Sequence, residues 1–160
     1  MTAQKLTSTP PVVDESPRAR PSTPGEWTLA QIQGTLSREL PQSLLSSRSQ
    51  GGKAIYYLSW PTIAGILDKY APGWCWEIEA TSFTSDRIFV VGRLSIQTAD
   101  GVVTRSATGT EELKRSKFNK QTQRTELVEL AYGDPSSNAE SMALRRAAAK
   151  FGLGRYLWEN

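Results

Sequence analysis

Ser137-Asn138-Ala139-Glu140-Ser141-Met142-Ala143-Leu144-Arg145-Arg146-Ala147-Ala148-Ala149-Lys150-Phe151-Gly152 is the stretch on which the reading of the fold turns. Ser137 and Glu140 have the spacing of a capping box, in which serine and glutamate side chains satisfy the free amides of a helix's first turn. The spacing predicts a helix opening at residue 137. Gly152 suits the left-handed residue that ends a helix, so the stop is expected at Phe151-Gly152. At roughly 100° per residue, Ala139, Ala143, Leu144, Ala147, Ala148 and Phe151 share one half of this helix. Met142, Arg145, Arg146, Ala149 and Lys150 share the other. The first half is small and apolar and can lie close on a sheet; the second is cationic. On pattern alone an ordinary solvated face fits the cations as well as an anion site does. Adjacent arginines suit phosphate, because each guanidinium offers two donors in a fork and keeps its charge when partly desolvated.

The sheet such a helix needs lies upstream. Residues 74–83 alternate, with Trp74, Trp76, Ile78 and Ala80 facing one way and Cys75, Glu77, Glu79 and Thr81 the other. After a turn at Thr84-Ser85-Asp86, residues 87–98 put Ile88, Val90, Leu94 and Ile96 on one face and Arg87, Phe89, Val91 and Arg93 on the opposite one. Ala99-Asp100-Gly101 is a hairpin signal, and residues 102–110 are the return strand. Further upstream, residues 53–58 read as a short strand. Ser59 caps a helix entered through Trp60-Pro61, with Ile63, Ile66, Leu67 and Tyr70 inward and Pro72-Gly73 as its end. Residues 27–40 read as a first helix with Thr28 as N-cap, Leu29, Ile32, Leu36 and Leu40 as its stripe, and Pro41 as its stop. Residues 43–52 read as a polar loop.

Residues 1–26 hold five of the nine prolines, much Ser and Thr, and almost no large apolar residue. Such a segment cannot bury enough surface to offset its ordering entropy, and a disordered tail is expected. Residues 111–135 read as a long charged insertion, a mobile loop with some helix around 126–131, closed by a turn at Tyr132-Gly133-Asp134-Pro135. The fold class is therefore α+β. A three-stranded antiparallel meander and a helix form a β-β-β-α core, preceded by a strand and two helices. One domain, 27–160, follows the tail.

The 160 residues contain no histidine and one cysteine, Cys75. That excludes Ser-His-Asp and Cys-His catalysis, His-ligated zinc and an intrachain disulfide. The apolar runs are far too short to span a bilayer, and no secretory leader is expected at the N-terminus. Gly51-Gly52-Lys53-Ala54 lacks the spacing of a nucleotide-binding loop. Glu77 and Glu79 share a strand face, as metal-bound carboxylates would, but more simply oppose Arg87 and Arg93 on the neighbouring strand. The net charge is +3. Lys114, Arg115, Lys117, Lys120 and Arg124 lie in a run without an acid that also carries Phe118. Basic residues track phosphates and an aromatic can stack on an unpaired base, although a solvated loop is an equally ordinary reading. Tyr56 and Tyr57 point to opposite faces of their strand, and core packing suits both, as it suits Trp74 and Trp76.

From Ser46 onward the sequence resembles the Rad fifty-two superfamily of single-strand annealing proteins, in particular its prokaryotic DdrA-like and phage Sak-like members. The resemblance rests on Ser46-Ser47-Arg48 with Gly51-Gly52-Lys53 and Tyr56, on Gly73-Trp74, and on Asp100-Gly101 with Gly109. Its most specific part is Asn138-Ala139-Glu140-Ser141, Leu144-Arg145-Arg146-Ala147 and Phe151-Gly152-Leu153-Gly154-Arg155-Tyr156-Leu157. The resemblance implies that Arg48, Tyr56, Arg145 and Arg146 line a primary DNA groove, with Lys53 and Lys150 beside it. A further helix cation of some members falls on Ala149. Lys114, Arg115, Lys117, Lys120 and Arg124 are secondary candidates, for a second strand or the duplex product.

The family forms rings or open helical assemblies with single-stranded DNA in an outer basic groove and the bases turned outward. The expected function is thus binding of single-stranded DNA and annealing of complementary strands without ATP, in recombinational repair or phage-type recombination. The alternative is end protection, or recombinase loading without annealing. No catalytic residue, metal or cofactor is expected. The expected partners are single-stranded DNA, further copies of the chain, and a recombinase or single-strand-binding protein, in the cytoplasm of a bacterial or phage-infected cell.

Overall fold

The computed structural model describes residues 19–129 and 134–159. Its centre is the strand with the strictest alternation. β4 (Arg87–Thr98) buries Ile88, Val90, Leu94 and Ile96 on one face and turns Arg87, Phe89, Val91 and Arg93 to the other. β3 (Cys75–Phe83) and β5 (Gly101–Glu112) pair antiparallel on its two sides, giving the expected meander β3-β4-β5. At the tip of the Asp-Gly hairpin, Asp100 accepts the amide of Leu29 at 3.1 Å. This bond ties the sheet to the first turn of α1 (Leu29–Leu36).

All the helices pack on the buried face of the sheet. α1 contributes Ile32 and Leu36, and α2 (Trp60–Tyr70), capped by Ser59 as expected, contributes Ile63, Ile66 and Leu67. They meet Leu94, Ile96, Phe151 and Leu153 in one core. α3 (Pro135–Lys150) lies over β5 and β4 through Ala139, Ala143, Leu144, Ala147 and Ala148, the face read from its periodicity. Gly109 permits that approach: a Cβ there would collide with the carbonyl oxygen of Ala139 and come within 2.7 Å of the Ala143 amide nitrogen. Trp76 lies across Gly92 on the same side and donates its indole N–H to Glu140 at 3.0 Å.

The opposite sheet face is polar and internally neutralised. Arg93 bridges both Glu77 (2.9 Å) and Glu79 (3.3 Å), and a bulge between Ile78 and Ala80 leaves Glu79 without a partner in the ladder. Arg87, expected opposite those glutamates, pairs instead with Glu112 across β5 at 3.4 Å.

Several boundaries differ from the sequence reading. The expected loop 43–52 contains a strand: β1 (Ser46–Gln50) pairs antiparallel with β2 (Lys53–Tyr57). Gly51 and Gly52, with φ of 59° and 76°, form the tight turn between them. The mobile loop expected within 111–135, and residues 126–129 of the helix expected at 126–131, form a second hairpin, β6 (Lys114–Asn119) with β7 (Arg124–Glu129), while Glu111 and Glu112 extend β5; residues 130–131 lie outside the described residues. Asn119 builds its turn by accepting the amides of Gln121 and Thr122.

α3 starts earlier than expected. Asp134, not Ser137, is its N-cap, accepting the amides of Ser136 and Ser137, with Pro135 preset for the first helical position. Hydrogen bonds from the Ser136 hydroxyl and the Ser137 and Ser136 amides hold the Asp134 carboxyl below its ordinary range. The rest of the expected turn 132–135 lies outside the described residues. α1 leaves its helix at Ser37, which presses on Gly152, and Leu40 gives its amide to the Tyr156 hydroxyl. Of the expected tail, residues 1–18 lie outside the described residues. Pro21 is buried, and Glu26 accepts the amide and hydroxyl of Ser22 in an ordered turn.

Replacing Gly109 with valine forces α3 away from β5. The expected loss is at least about 3 kcal/mol, the upper end for an overpacked core, read from urea unfolding of the variant against wild type.

Candidate nucleic-acid interface

The close seating of α3 fixes where its other face points. With Ala139, Ala143 and Ala147 against the sheet, Asn138, Ser141, Met142 and Arg145 face the β1–β2 hairpin across an open-sided cleft of about 510 Å³. Arg48, Tyr56 and Tyr57 come from the hairpin, and Arg146 and Trp158 also line the cleft. Arg48, Tyr56, Arg145 and Arg146, which lie far apart in sequence, therefore line one cleft. Glu111 is the one acidic residue in its lining, and its carboxylate accepts the amide of Glu112.

Alternation along the hairpin separates the tyrosines. Arg48 pairs with Ile55 and Ser46 with Tyr57, so Arg48 and Tyr57 share a face, whereas Tyr56, paired with Ser47, lies on the other. The Arg145 guanidinium sits 5.3 Å from the centre of the Tyr57 ring. Tyr56 is 42% exposed, on the outer lip of the cleft. Sequence periodicity gave no reason to prefer Tyr57. The contact arises because α3 crosses the hairpin at that residue.

The cleft concentrates positive charge that no ion pair among the described residues neutralises. The four ion pairs among the described residues use Arg87, Arg93 and Arg115 and leave Arg48, Arg145 and Arg146 without one. Burial presses the pKa of Arg145 downward, and the positive charges of Arg48 and then Arg146 add to it. A guanidinium stays protonated under that pressure, so the strain stays in the site until an anion enters. Arg146 is fixed by a 2.9 Å bond to the Thr108 carbonyl, which leaves most of its donors free. Paired forks of this kind bind phosphate oxygens, and the aromatic surfaces beside them can take the face of a base.

The other candidates lie elsewhere. Lys53 is exposed beside the β1–β2 turn, outside the cleft lining. Lys150 lies past Arg146 and donates to the Ser106 carbonyl. On the β6–β7 hairpin, Arg115, Lys117 and Arg124 share one face by register, Lys114 is on the other, and Lys120 is in the turn. Pairing dilutes the acid-free run, since Glu126 stands opposite Lys117 and Arg115 reaches Glu112 at 3.8 Å. Phe118 falls on the face opposite Arg115 and Lys117, so it is not interleaved with them in space. Glu77 and Glu79, the carboxylates that a metal would need, are both held by Arg93.

No family model matches the chain. It is similar to the DNA repair RAD52-like protein 1, mitochondrial, of Arabidopsis thaliana, with 31% identity over 132 residues, covering 81% of this chain and 67% of that protein. It is also similar to the DNA repair RAD52-like protein 2, chloroplastic, of the same plant, with 32% identity over 134 residues, covering 81% and 60%. The chain thus spans about two thirds of the first relative and less of the second.

A multivalent anion should relieve the repulsion among Arg48, Arg145 and Arg146. Polyphosphate at about 100 times its Kd is expected to stabilise the wild-type fold by about 2.7 kcal/mol. The R48Q/R145Q variant should gain clearly less from the same polyphosphate concentration. The comparison is made by thermal unfolding at constant ionic strength.

Proposed function

The chain belongs to the family of RAD52-like DNA repair proteins, and from that premise we propose that it binds single-stranded DNA and anneals complementary strands without ATP, in recombinational repair or phage-type recombination. The observation that carries this reading is the unpaired cluster of Arg48, Arg145 and Arg146 around Tyr57 in an open-sided cleft. Guanidinium groups and a tyrosine face recognise a phosphate backbone and any base, without sequence preference. An open cleft leaves the outer edges of bound bases accessible to a complementary strand.

Annealing makes and breaks no covalent bond, so the reading asks for neither a nucleophile nor a metal. One cleft on a protomer of this size spans few nucleotides. Tight binding then requires several clefts on one strand, supplied by a ring or an open helical assembly of copies. The β6–β7 hairpin, with Arg115, Lys117 and Arg124 on one face, offers a secondary surface for the second strand or the duplex product.

Purified protein should accelerate the pairing of two complementary dye-labelled oligonucleotides in the absence of ATP and metal. The R145A/R146A variant should bind at least about 100-fold more weakly, at about 1.5–3 kcal/mol per charged contact. It should lose the acceleration while keeping the oligomer size of the wild type. Tight binding by wild type with no acceleration would favour end protection or recombinase loading, and full binding by the double variant would refute the cleft.

A further inference from the structure

Beyond the cleft, past Arg146, runs a second series of cations that no ion pair among the described residues neutralises. β5 is an edge strand of its sheet. Three alternate carbonyls along it, those of Thr104, Ser106 and Thr108, accept hydrogen bonds from Arg105, Lys150 and Arg146 respectively. Arg155 is held in the same manner by the Ala149 carbonyl at 3.2 Å. The four cations line one shallow surface with Ala149 and Trp158, and no carboxylate is among its lining residues.

Anchoring by carbonyls differs in consequence from anchoring by carboxylates. A backbone oxygen takes one donor and fixes the side chain, but it leaves the full charge and the remaining donors outward. Arg105 is further steadied by lying 5.5 Å from the centre of the Phe151 ring. The row therefore presents fixed positive charge rather than mobile surface lysines, and phosphate is the group such a row fits.

Arg146 and Trp158 join this row to the cleft, because both line both surfaces. The Arg146 guanidinium lies 5.9 Å from the Trp158 ring centre, yet Trp158 remains 53% exposed. An indole held beside a guanidinium between two phosphate-binding surfaces is placed to receive an unpaired base. We infer that the single strand does not end at Arg146 but crosses Trp158, which stacks on one of its bases, and continues along the edge of β5 over Lys150, Arg105 and Arg155. This rests on the reading that the cleft holds single-stranded DNA, and it extends that site by a stacking residue and a second phosphate track. The same cations cover the free edge of β5 and so keep other strands from pairing with it.

The test is binding of a thirty-nucleotide oligothymidylate across a salt series to wild type, W158A, W158F, R105Q/R155Q and K150Q, with R145A/R146A alongside. W158A should weaken binding on the order of tenfold, and W158F should recover most of it. Indole fluorescence should fall on binding in wild type and fall less in W158F. R105Q/R155Q should reduce the slope of log K against log salt by about 1.4, and K150Q by about 0.7. K150Q alters an exposed side chain, so its slope stands as the measurement if R105Q/R155Q does not fold. Loss of binding in R145A/R146A with wild-type affinity and slope in the Trp158, Arg105/Arg155 and Lys150 variants overturns the extended track and leaves the cleft intact. A wild-type protein that does not bind the oligonucleotide overturns both.

Discussion

The close contact of α3 with β5 at Gly109 is the constraint on which the rest of the molecule depends. A helix backbone can reach a strand this closely only where the strand has no side chain and the helix presents alanines, and here both conditions hold. Once Ala139, Ala143 and Ala147 are pressed to the sheet, helical geometry leaves no choice for Arg145 and Arg146. Arg145 is directed to Tyr57 on the β1–β2 hairpin, and Arg146 reaches the Thr108 carbonyl on β5 beside Trp158 of the C-terminal 3-10 turn. The cationic surface is in this sense a consequence of packing: core glycine and alanines set the direction of the surface arginines.

Much of this was legible in the residues, and the limits of legibility have a physical cause. Apolar alternation identified β4, and three- and four-residue spacing identified the buried faces of α1, α2 and α3, because a buried face leaves a periodic trace. The β1–β2 and β6–β7 hairpins leave none. Their residues are mostly exposed on both faces, so pairing rests on the backbone ladder and on turns such as Gly51-Gly52 and that around Asn119. A run such as Ser46–Gln50 then reads as loop. The start of α3 was misplaced because two capping signals compete. Asp134-Pro135 presets the first turn and its carboxylate accepts two amides, which displaces the Ser137 box by nearly a turn. Within the site, helical periodicity already set Arg145 and Arg146 on a cationic face, whereas Arg48 and Tyr56 came from resemblance. Tyr57 and Trp158 are significant only through what crosses them in space, and no one-dimensional pattern carries that information.

The two sides of the molecule solve the problem of charge differently. On the open face of the sheet every arginine in β4 meets a glutamate: Arg93 with Glu77 and Glu79, Arg87 with Glu112. Such exposed pairs add little stability, but they leave the face nearly neutral. On the side of α3 the arginines and lysines are positioned by carbonyls and aromatic rings instead: Arg146 by Thr108, Lys150 by Ser106, Arg105 by Thr104, Arg145 by Tyr57. The chain's net charge of +3 is too small to predict nucleic-acid binding by itself. Segregating the neutralised cations from the free ones is what turns a mildly basic protein into one with a distinctly basic side.

That segregation works against the stability of the isolated protomer. Arg145 lies in the positive field of Arg48 and Arg146 and is partly withdrawn from water as well. Preorganising this repulsion before the ligand arrives means that an entering phosphate need not first break a protein ion pair, so more of the attraction appears as affinity. A small protomer has a limited core with which to offset the cost. In the proposed assembly, repetition of the site would relax the demand, because weak protomer sites on one strand multiply through effective concentration. Modest repulsion per copy is then compatible with tight binding by the assembly. The arginines without an ion pair among the described residues and the small domain thus reflect one electrostatic choice, and the proposed repetition of the site along a strand is consistent with it.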